Sequence, residues 1–585
     1  MRHISKNIEN KTGTVSNLQG FLHRSLDTGF KTKWHGYWSP PYKYLDYYAY
    51  RINGIWLDAN TLESVEYGET LRYTHQLSSL TVIEHVKMEN LNGFKSVLEI
   101  KNNAGEKKAV QVSLEAGIDI RRQNADISEQ DYSIEMNDKS INVSSGDKEL
   151  TISADRKIIS ESRPHMKEHY PGERQKCMVP GKIVLRSEIM SNETEKIVLA
   201  FETSEDEGKC LETFDQCLKD TKISECFNSS LSSVENLIYN NDGLGIIAGH
   251  PWFQSYWARD TFWTLLGFID AGYYEESLQI LENFAERGVP GKINLDESDE
   301  VLGRPDTAPL FIIAADKLRK HYRITETIEA AMIDAFDRLE TENSVVVHNS
   351  EGTWMDTLER PKAIDIQSLW LEAAKIMGKR VTELEKGLEK FKQDEYAKDY
   401  LGEDAPHTIN PTVPIMFGQF GDKYLSKING EFSSRFGART RSITDPGYKS
   451  SGYHSGSSWG LTTCWAAMAN FENNKVREGL NFLESLCQFI DRGQIGALPE
   501  VVDSEDGENL GCVEQAWSAG LVIHAIDSYL LGIKVTEETV EINPKGDISC
   551  KRLGKRIGDS ELDLEFDKGE VKILNEPDIE RKLIT

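Results

Sequence analysis

The chain has 585 residues, 39% of them hydrophobic, which is a soluble composition with more chain than one core organises, so two or three domains are expected. Lys and Arg number 67 against 95 Asp and Glu, a formal charge of −28. Such a surface repels phosphate backbones and anionic lipid, which argues against nucleic-acid and membrane partners and favours a neutral substrate.

Residues 1–205 carry strand signals. Thr81–Val86, Lys95–Ile100, Val110–Glu115 and Lys182–Arg186 mix β-branched residues with alternating polar ones, punctuated by Asn53-Gly54, Asn92-Gly93 and Ser145-Gly146. Short strands with regular turns predict an antiparallel β-sandwich. From about residue 206 the period becomes helical. Asp260–Ala271 with Tyr274–Arg287, Asp306–Lys320 with Thr325–Thr341, Asp365–Met377 with Thr382–Lys392, and Ser458–Phe471 with Val476–Ile490 read as hairpins. Helices near Cys226–Tyr239 and Glu514–Leu530, and an irregular pair around Pro411–Gln419, complete about twelve. Phe262–Leu266 and Leu310–Ala315, in first members of pairs, are nearly continuous apolar runs while their partners are Glu-rich on one face, and inner helices more apolar than outer ones predict a six-hairpin (α/α) toroid over 206–532. Strand-like runs return over 533–585 as a short β-rich appendage.

Eight cysteines show neither CxxC nor metal-ligand spacing and read as reduced thiols. The first twenty residues lack an apolar signal core, and the longest apolar run, Ala308–Ala315, is far short of a bilayer span, so a cytoplasmic setting is expected. His165 and His169 form an HxxxH that reads as solvated; no metal and no cofactor are expected.

In a toroid the loops entering the inner helices gather at one end, so polar and aromatic loop clusters mark the candidate site. The first runs from His250 to Asp260. Its Arg259-Asp260 pair suits vicinal hydroxyls and Trp252 and Trp257 offer stacking faces, although Asp260 is equally a helix N-cap. In the second, Gly352–Thr357, Asp356 stands beside Trp354, which could desolvate it and raise its pKa as a general acid requires; a solvated loop Asp is the plainer reading, and Glu359 is a rival. The third, Gly452–Trp459, sets Tyr453, His454 and Trp459 in a Gly- and Ser-rich loop. The fourth places Glu500 after Pro499, ahead of Gly511–Ser518; alone it is a surface Glu, but in a closed ring it returns beside the first cluster. Two carboxylates are what glycoside hydrolysis needs. No phosphate loop or HExxH occurs.

Together these clusters resemble the amylo-α-1,6-glucosidase (glycogen debranching) family and, more distantly, the glucoamylase family, over roughly 240–530. Trp252-Phe253 with Trp257–Thr261, Thr353–Asp356, Ile364–Trp370, Tyr453–Trp459, and Pro499-Glu500 with Gly511–Ser518 follow the family's motifs in order. The family's arginine after Tyr-His is Ser455 here, and its Glu is Asp365. The resemblance implies inverting hydrolysis of α-1,6-linked glucose at α-glucan branch points, with Asp356 as acid and Glu500 as base. It also implies that Arg259, Asp260 and Asp306 contact the glucose, with Gln515 and Trp517 shaping the same site. A glucoamylase-type α-1,4-glucosidase, a trehalase, and a non-catalytic glucan-binding protein are the alternatives.

Overall fold

The computed structural model describes residues 2–4, 8–68, 70–88, 92–125, 131–162, 170–172, 179, 181–203, 209–295, 303–536, 538–575 and 581–584. The expected boundary near 205, His165, His169 and Cys177 lie outside them. The chain divides into two compact units.

The first unit is Met1–Glu212 with Ile238–Asn241 and Arg492–Ile495. Alternating residues form two antiparallel sheets here. One runs, in spatial order, through Arg2–Ile4, Leu62–Tyr67, Leu71–Leu77, Leu80–Lys87, Gly93–Asn102, Thr194–Glu202, Lys148–Ala154, Ser140–Ser145 and Ser133–Met136. The other is built around the long strands Tyr42–Ile52 and Lys108–Arg122. Leu22, Leu45 and Val112 from one sheet and Val65, Val82 and Leu98 from the other share one core. A buried ion pair, Arg24 to Glu84 at 3.0 Å, crosses that core, with the Tyr48 hydroxyl donating to the same Glu84 at 2.7 Å.

The second unit holds Thr213–Leu237, Asp242–Asp491 and Gly496–Thr585. Among its described residues are twelve α-helices: α1 Ser224–Asn236, α2 Ala258–Asp270, α3 Tyr274–Glu286, α4 Thr307–His321, α5 Glu326–Phe336, α6 Ile364–Met377, α7 Val381–Glu389, α8 Thr412–Met416, α9 Leu425–Lys427, α10 Gly460–Glu472, α11 Val476–Cys487 and α12 Ala516–His524. The even-numbered helices touch in a closed circuit, α2 to α4, α6, α8, α10, α12 and back to α2. Every residue of α2 and α12 is buried. A helix walled on all sides is mostly apolar and keeps charged side chains only where they are paired, as Asp270 is with Lys317 and His524, whereas α3, α5, α7 and α11 need only one apolar face. The α2–α12 crossing is so close that a Cβ on Gly267 would lie 1.8 Å from the Gly520 carbonyl oxygen.

Three expectations are corrected at element ends. The helix expected over Thr325–Thr341 stops at Phe336, because Thr341-Glu342 pairs with Val345-Val346 across Asn343 and Ser344, both at positive φ. Ser458-Trp459 and Glu514-Gln515 precede their helices as strands, since they pair with other site loops. The last helix ends at His524 and continues as a π-helical turn, Ala525–Leu530. The strand-like runs expected over 533–585 fall in Ile533–Val535, Thr539–Ile542, Ser560–Asp567 and Glu570–Ile573; the last two form one antiparallel sheet with Cys550–Ile557 and Cys217–Lys219 within this unit. No helix among the described residues is long and apolar enough to cross a membrane.

Candidate active site

Short antiparallel strand pairs gather the site loops at the N-terminal ends of the inner helices. Gly249 and His250 pair with Gln515 and Glu514, so the loop before α12 lies along the loop before α2. His250 Nδ1 sits 2.7 Å from Glu514 Oε2, and Ser233 Oγ donates to Oε1 at 2.8 Å, which locks this closure in the core. Gln515 Nε2 then donates to Asp260 Oδ1 at 2.7 Å. Ser458-Trp459 pairs with Val502-Val501 and brings the Tyr453–Trp459 loop against Glu500.

Glu500 is 3% exposed, not the surface residue its isolated sequence suggests. The Tyr453 hydroxyl donates to Oε1 at 2.5 Å and the Cys512 N–H to Oε2 at 2.9 Å. Oε2 is close enough to the chain that a Cβ on Gly511 would sit 2.4 Å from it, so only glycine admits this approach. Burial raises the Glu500 pKa; the Tyr453 hydroxyl and the Cys512 amide oppose that rise, and the charge of Asp356 adds to it. The charge of Asp356 is therefore felt at Glu500.

Asp356 differs from its expectation. Trp354 does not cover it: the indole is turned into the core, its Nε1 donating to Asn410 Oδ1 at 2.8 Å, and the Asp356 side chain is 44% exposed. Its nearest cationic candidate is His454, Nδ1 at 4.0 Å from Oδ1. That imidazole is neutral, since burial, with Arg259 and Arg360 adding to it, drops its pKa to about 3. Thr357 Oγ1 lies 2.8 Å from the same Nδ1. Among the described residues no Lys or Arg pairs with Asp356 or Glu500. Glu359, the rival, is exposed.

The remaining candidates divide into charged and aromatic sets. Arg259 and Asp260 stand in the first turn of α2, where Trp257 and not Asp260 is the N-cap. Arg259 grips Asp306 through Nε and Nη2 and the Gly352 carbonyl through Nη2 at 2.9 Å. Asp306 is thus ion-paired with Arg259. Burial pushes Asp260 up to about 8 against the opposing pull of Arg259, with Glu500 adding to the rise. Trp354 meets His454, Trp459 and Trp465 edge-on, and His454 stacks on Trp459 at 5.1 Å. Trp517 follows at 6.0 Å from Trp459, and Tyr453, at φ 34°, packs on both His454 and Trp459. The Trp517 Nε1 and Gln515 Oε1 atoms are buried without a hydrogen-bond partner. Trp252 is half-buried, and the Cys512 thiol lies against its backbone. Trp257 carries the Lys292 ammonium over its ring.

Sequence reasoning missed Arg360, Asp399, Asn410 and the Cys512 amide. Arg360 is fully buried, with Asp399 and Asp365 both in its grip. No group of three or more His, Cys, Asp or Glu suited to a metal is found among the described residues.

Two solved structures share this fold: a bacterial glucoamylase complexed with acarbose, at 12% identity and TM-score 0.56 over 90% of this chain and 96% of that one, and a putative kojibiose phosphorylase from the human microbiome, at 9% identity and TM-score 0.59 over 96% and 95%. The fold is that of the glucoamylase-like enzymes. No curated protein sequence matches the chain. The family model for amylo-alpha-1,6-glucosidase matches residues 226–400 and 401–524, about half of the chain, and the chain belongs to that family. It is a glycoside hydrolase of a glucan-acting class.

Proposed function

We propose that this enzyme is an inverting, exo-acting α-glucosidase that removes α-1,6-linked glucose at α-glucan branch points, working on a six-hairpin toroid. Asp356 protonates the glycosidic oxygen as the bond from C1 breaks, and the electron pair leaves with the alcohol. Glu500 takes a proton from the water that attacks C1 from the opposite face. The observation that carries this reading is the state of Glu500: a buried carboxylate, held at both oxygens by neutral donors, unpaired with any described cation and within electrostatic reach of Asp356.

Two donors facing Glu500 suit an acceptor that stays anionic until it receives a proton. The open position of Asp356 suits a group that must reach the leaving alcohol. The buried Trp517 Nε1 and Gln515 Oε1 supply a donor and an acceptor for hydroxyls of the bound glucose, beside Asp260. Trp459 and Trp517 give apolar ring faces on which a pyranose stacks.

The exchanged assignment, Glu500 as acid, has the raised Glu500 pKa in its favour. One comparison separates the two. Fluoride departs from C1 of α-glucosyl fluoride without needing a proton, so Asp356→Asn should keep hydrolysing that substrate while losing oligosaccharides, and Glu500→Gln should lose both. The opposite pattern assigns the roles the other way. Glucose release from panose and isomaltose, with maltose and trehalose slower by at least about tenfold, is the expected specificity. Preference for maltose or trehalose makes the enzyme a glucoamylase or trehalase, and no turnover of any of them leaves only a glucan-binding protein.

A further inference from the structure

An acid that is 44% exposed on a loop has no packing of its own to aim it, yet protonation of a leaving group requires contact at about 2.6–3.2 Å. The four residues before Asp356 are nevertheless each held, and by different parts of the ring. Gly352 offers its carbonyl to Arg259 at 2.9 Å. Thr353 Oγ1 accepts from Arg360 Nη1 at 3.1 Å. Trp354 donates to Asn410 Oδ1 at 2.8 Å, and Met355 Sδ accepts from Asn410 Nδ2 at 3.3 Å. After Asp356, Thr357 meets His454 at 2.8 Å.

Arg360 and Asn410 converge on one anchor. Arg360 donates to Asp399 through Nε at 2.8 Å and Nη2 at 2.7 Å, and to Asp365, at the start of α6, at 2.5 and 3.3 Å. Asp399 accepts two further bonds at 2.7 Å, from Thr408 Oγ1 and Asn410 Nδ2. Arg360, Asp399 and Asn410 are wholly buried and Asp365 nearly so. Two carboxylates and one guanidinium withdrawn from water are a poor device for stability, where an apolar plug of equal volume serves as well or better. They are a good device for fixing where a short loop lies, because each bond has a direction.

We propose that Arg360, Asp399 and Asn410 are positioning residues for the catalytic acid, fixing the backbone of residues 353–355 so that the Asp356 carboxyl meets the glycosidic oxygen. None of the three faces the substrate; each acts through the loop. The inference rests on the assignment of Asp356 as acid. A misplacement of about 1 Å costs a transfer of this kind on the order of a hundredfold, so the network's loss should appear in protonation and not in binding.

The test compares two substrates on the full-length enzyme. Asn410→Ala, and the milder Thr353→Val that keeps the fold while removing the Arg360 contact, are assayed on panose and on α-glucosyl fluoride. The expected result is a fall in kcat on panose of about 10–100-fold with KM within about threefold, while hydrolysis of the fluoride stays within about threefold of wild type. Parallel losses on both substrates, or no loss on panose in either variant, overturn the proposal. Asp356→Asn runs beside them. If it lacks the selective loss, the acid assignment fails and this inference with it; if it shows the loss and the two variants do not, only the positioning role fails.

Discussion

Replacing Tyr453 by Phe removes one hydroxyl and nothing else, and that hydroxyl donates to Glu500 Oε1 at 2.5 Å inside a site where Glu500 is 3% exposed. A hydrogen bond to a buried charged group contributes about 1.5–3 kcal/mol. It favours the anionic over the protonated form of Glu500, so its loss makes the anion costlier by a comparable amount. At about 1.4 kcal/mol for each pH unit, the pKa of Glu500 should rise by about one to two units. The base must be deprotonated to act, so the acid limb of kcat/KM moves to higher pH by that amount. Activity on the limb falls about 10–100-fold and the plateau above it falls much less. The assay is a pH profile of kcat/KM on panose for both enzymes. An acid limb that stays in place, or moves to lower pH, refutes the reasoning, because the hydroxyl would then not be tuning the base.

Gly267→Ala drives a methyl into the Gly520 carbonyl at the α2–α12 crossing and should cost at least about 2 kcal/mol, read as a lowered denaturation midpoint; an unchanged midpoint contradicts the packing. Asp260 is raised from 3.8 to about 8 by burial, so the folded state holds its proton more tightly than the unfolded one, and stability present below pH 4 is lost as pH rises through 8. Asp260→Asn should therefore raise Tm relative to wild type more at pH 8 than at pH 5 while lowering kcat/KM, and an equal effect at both pH values would show that this carboxyl is not buried neutral. Trp517→Phe removes the unpartnered Nε1 donor and should raise KM about 3–10-fold with kcat nearly unchanged, as for a lost substrate hydrogen bond of about 1 kcal/mol; an unmoved KM contradicts a role for that donor.

The inner helices were legible because burial on every side leaves a plain mark, nearly continuous apolar runs such as Phe262–Leu266 and Leu310–Ala315. The order of the loop clusters was legible because each is a short local string of Trp, Gly and polar residues. What escaped was every property set by residues distant in sequence. Nothing local to Glu500 announces a buried carboxylate; that follows from Tyr453, 47 positions earlier, and the Cys512 amide, 12 later. Trp354 beside Asp356 suggested a desolvated acid, but Asn410, 56 positions on, turns the indole inward and leaves the carboxyl exposed. Arg360 stands between Glu359 and Lys362 in the sequence, and only the fold sets Asp399 and Asp365 around it. The strand pairs at Glu514-Gln515 and Ser458-Trp459 interrupt helical periodicity for the same reason, since their partners lie in other loops.

The division of labour between Asp356 and Glu500 has one direct consequence in the product. Water activated by Glu500 attacks C1 from the side opposite the bond that Asp356 helps to break, so configuration must change. Proton NMR of isomaltose or panose hydrolysis, followed before mutarotation, should show β-glucose appearing first. First appearance of α-glucose would mean retention, with a carboxylate bonded to the sugar on the way, and would contradict the assignment of Glu500 as a base.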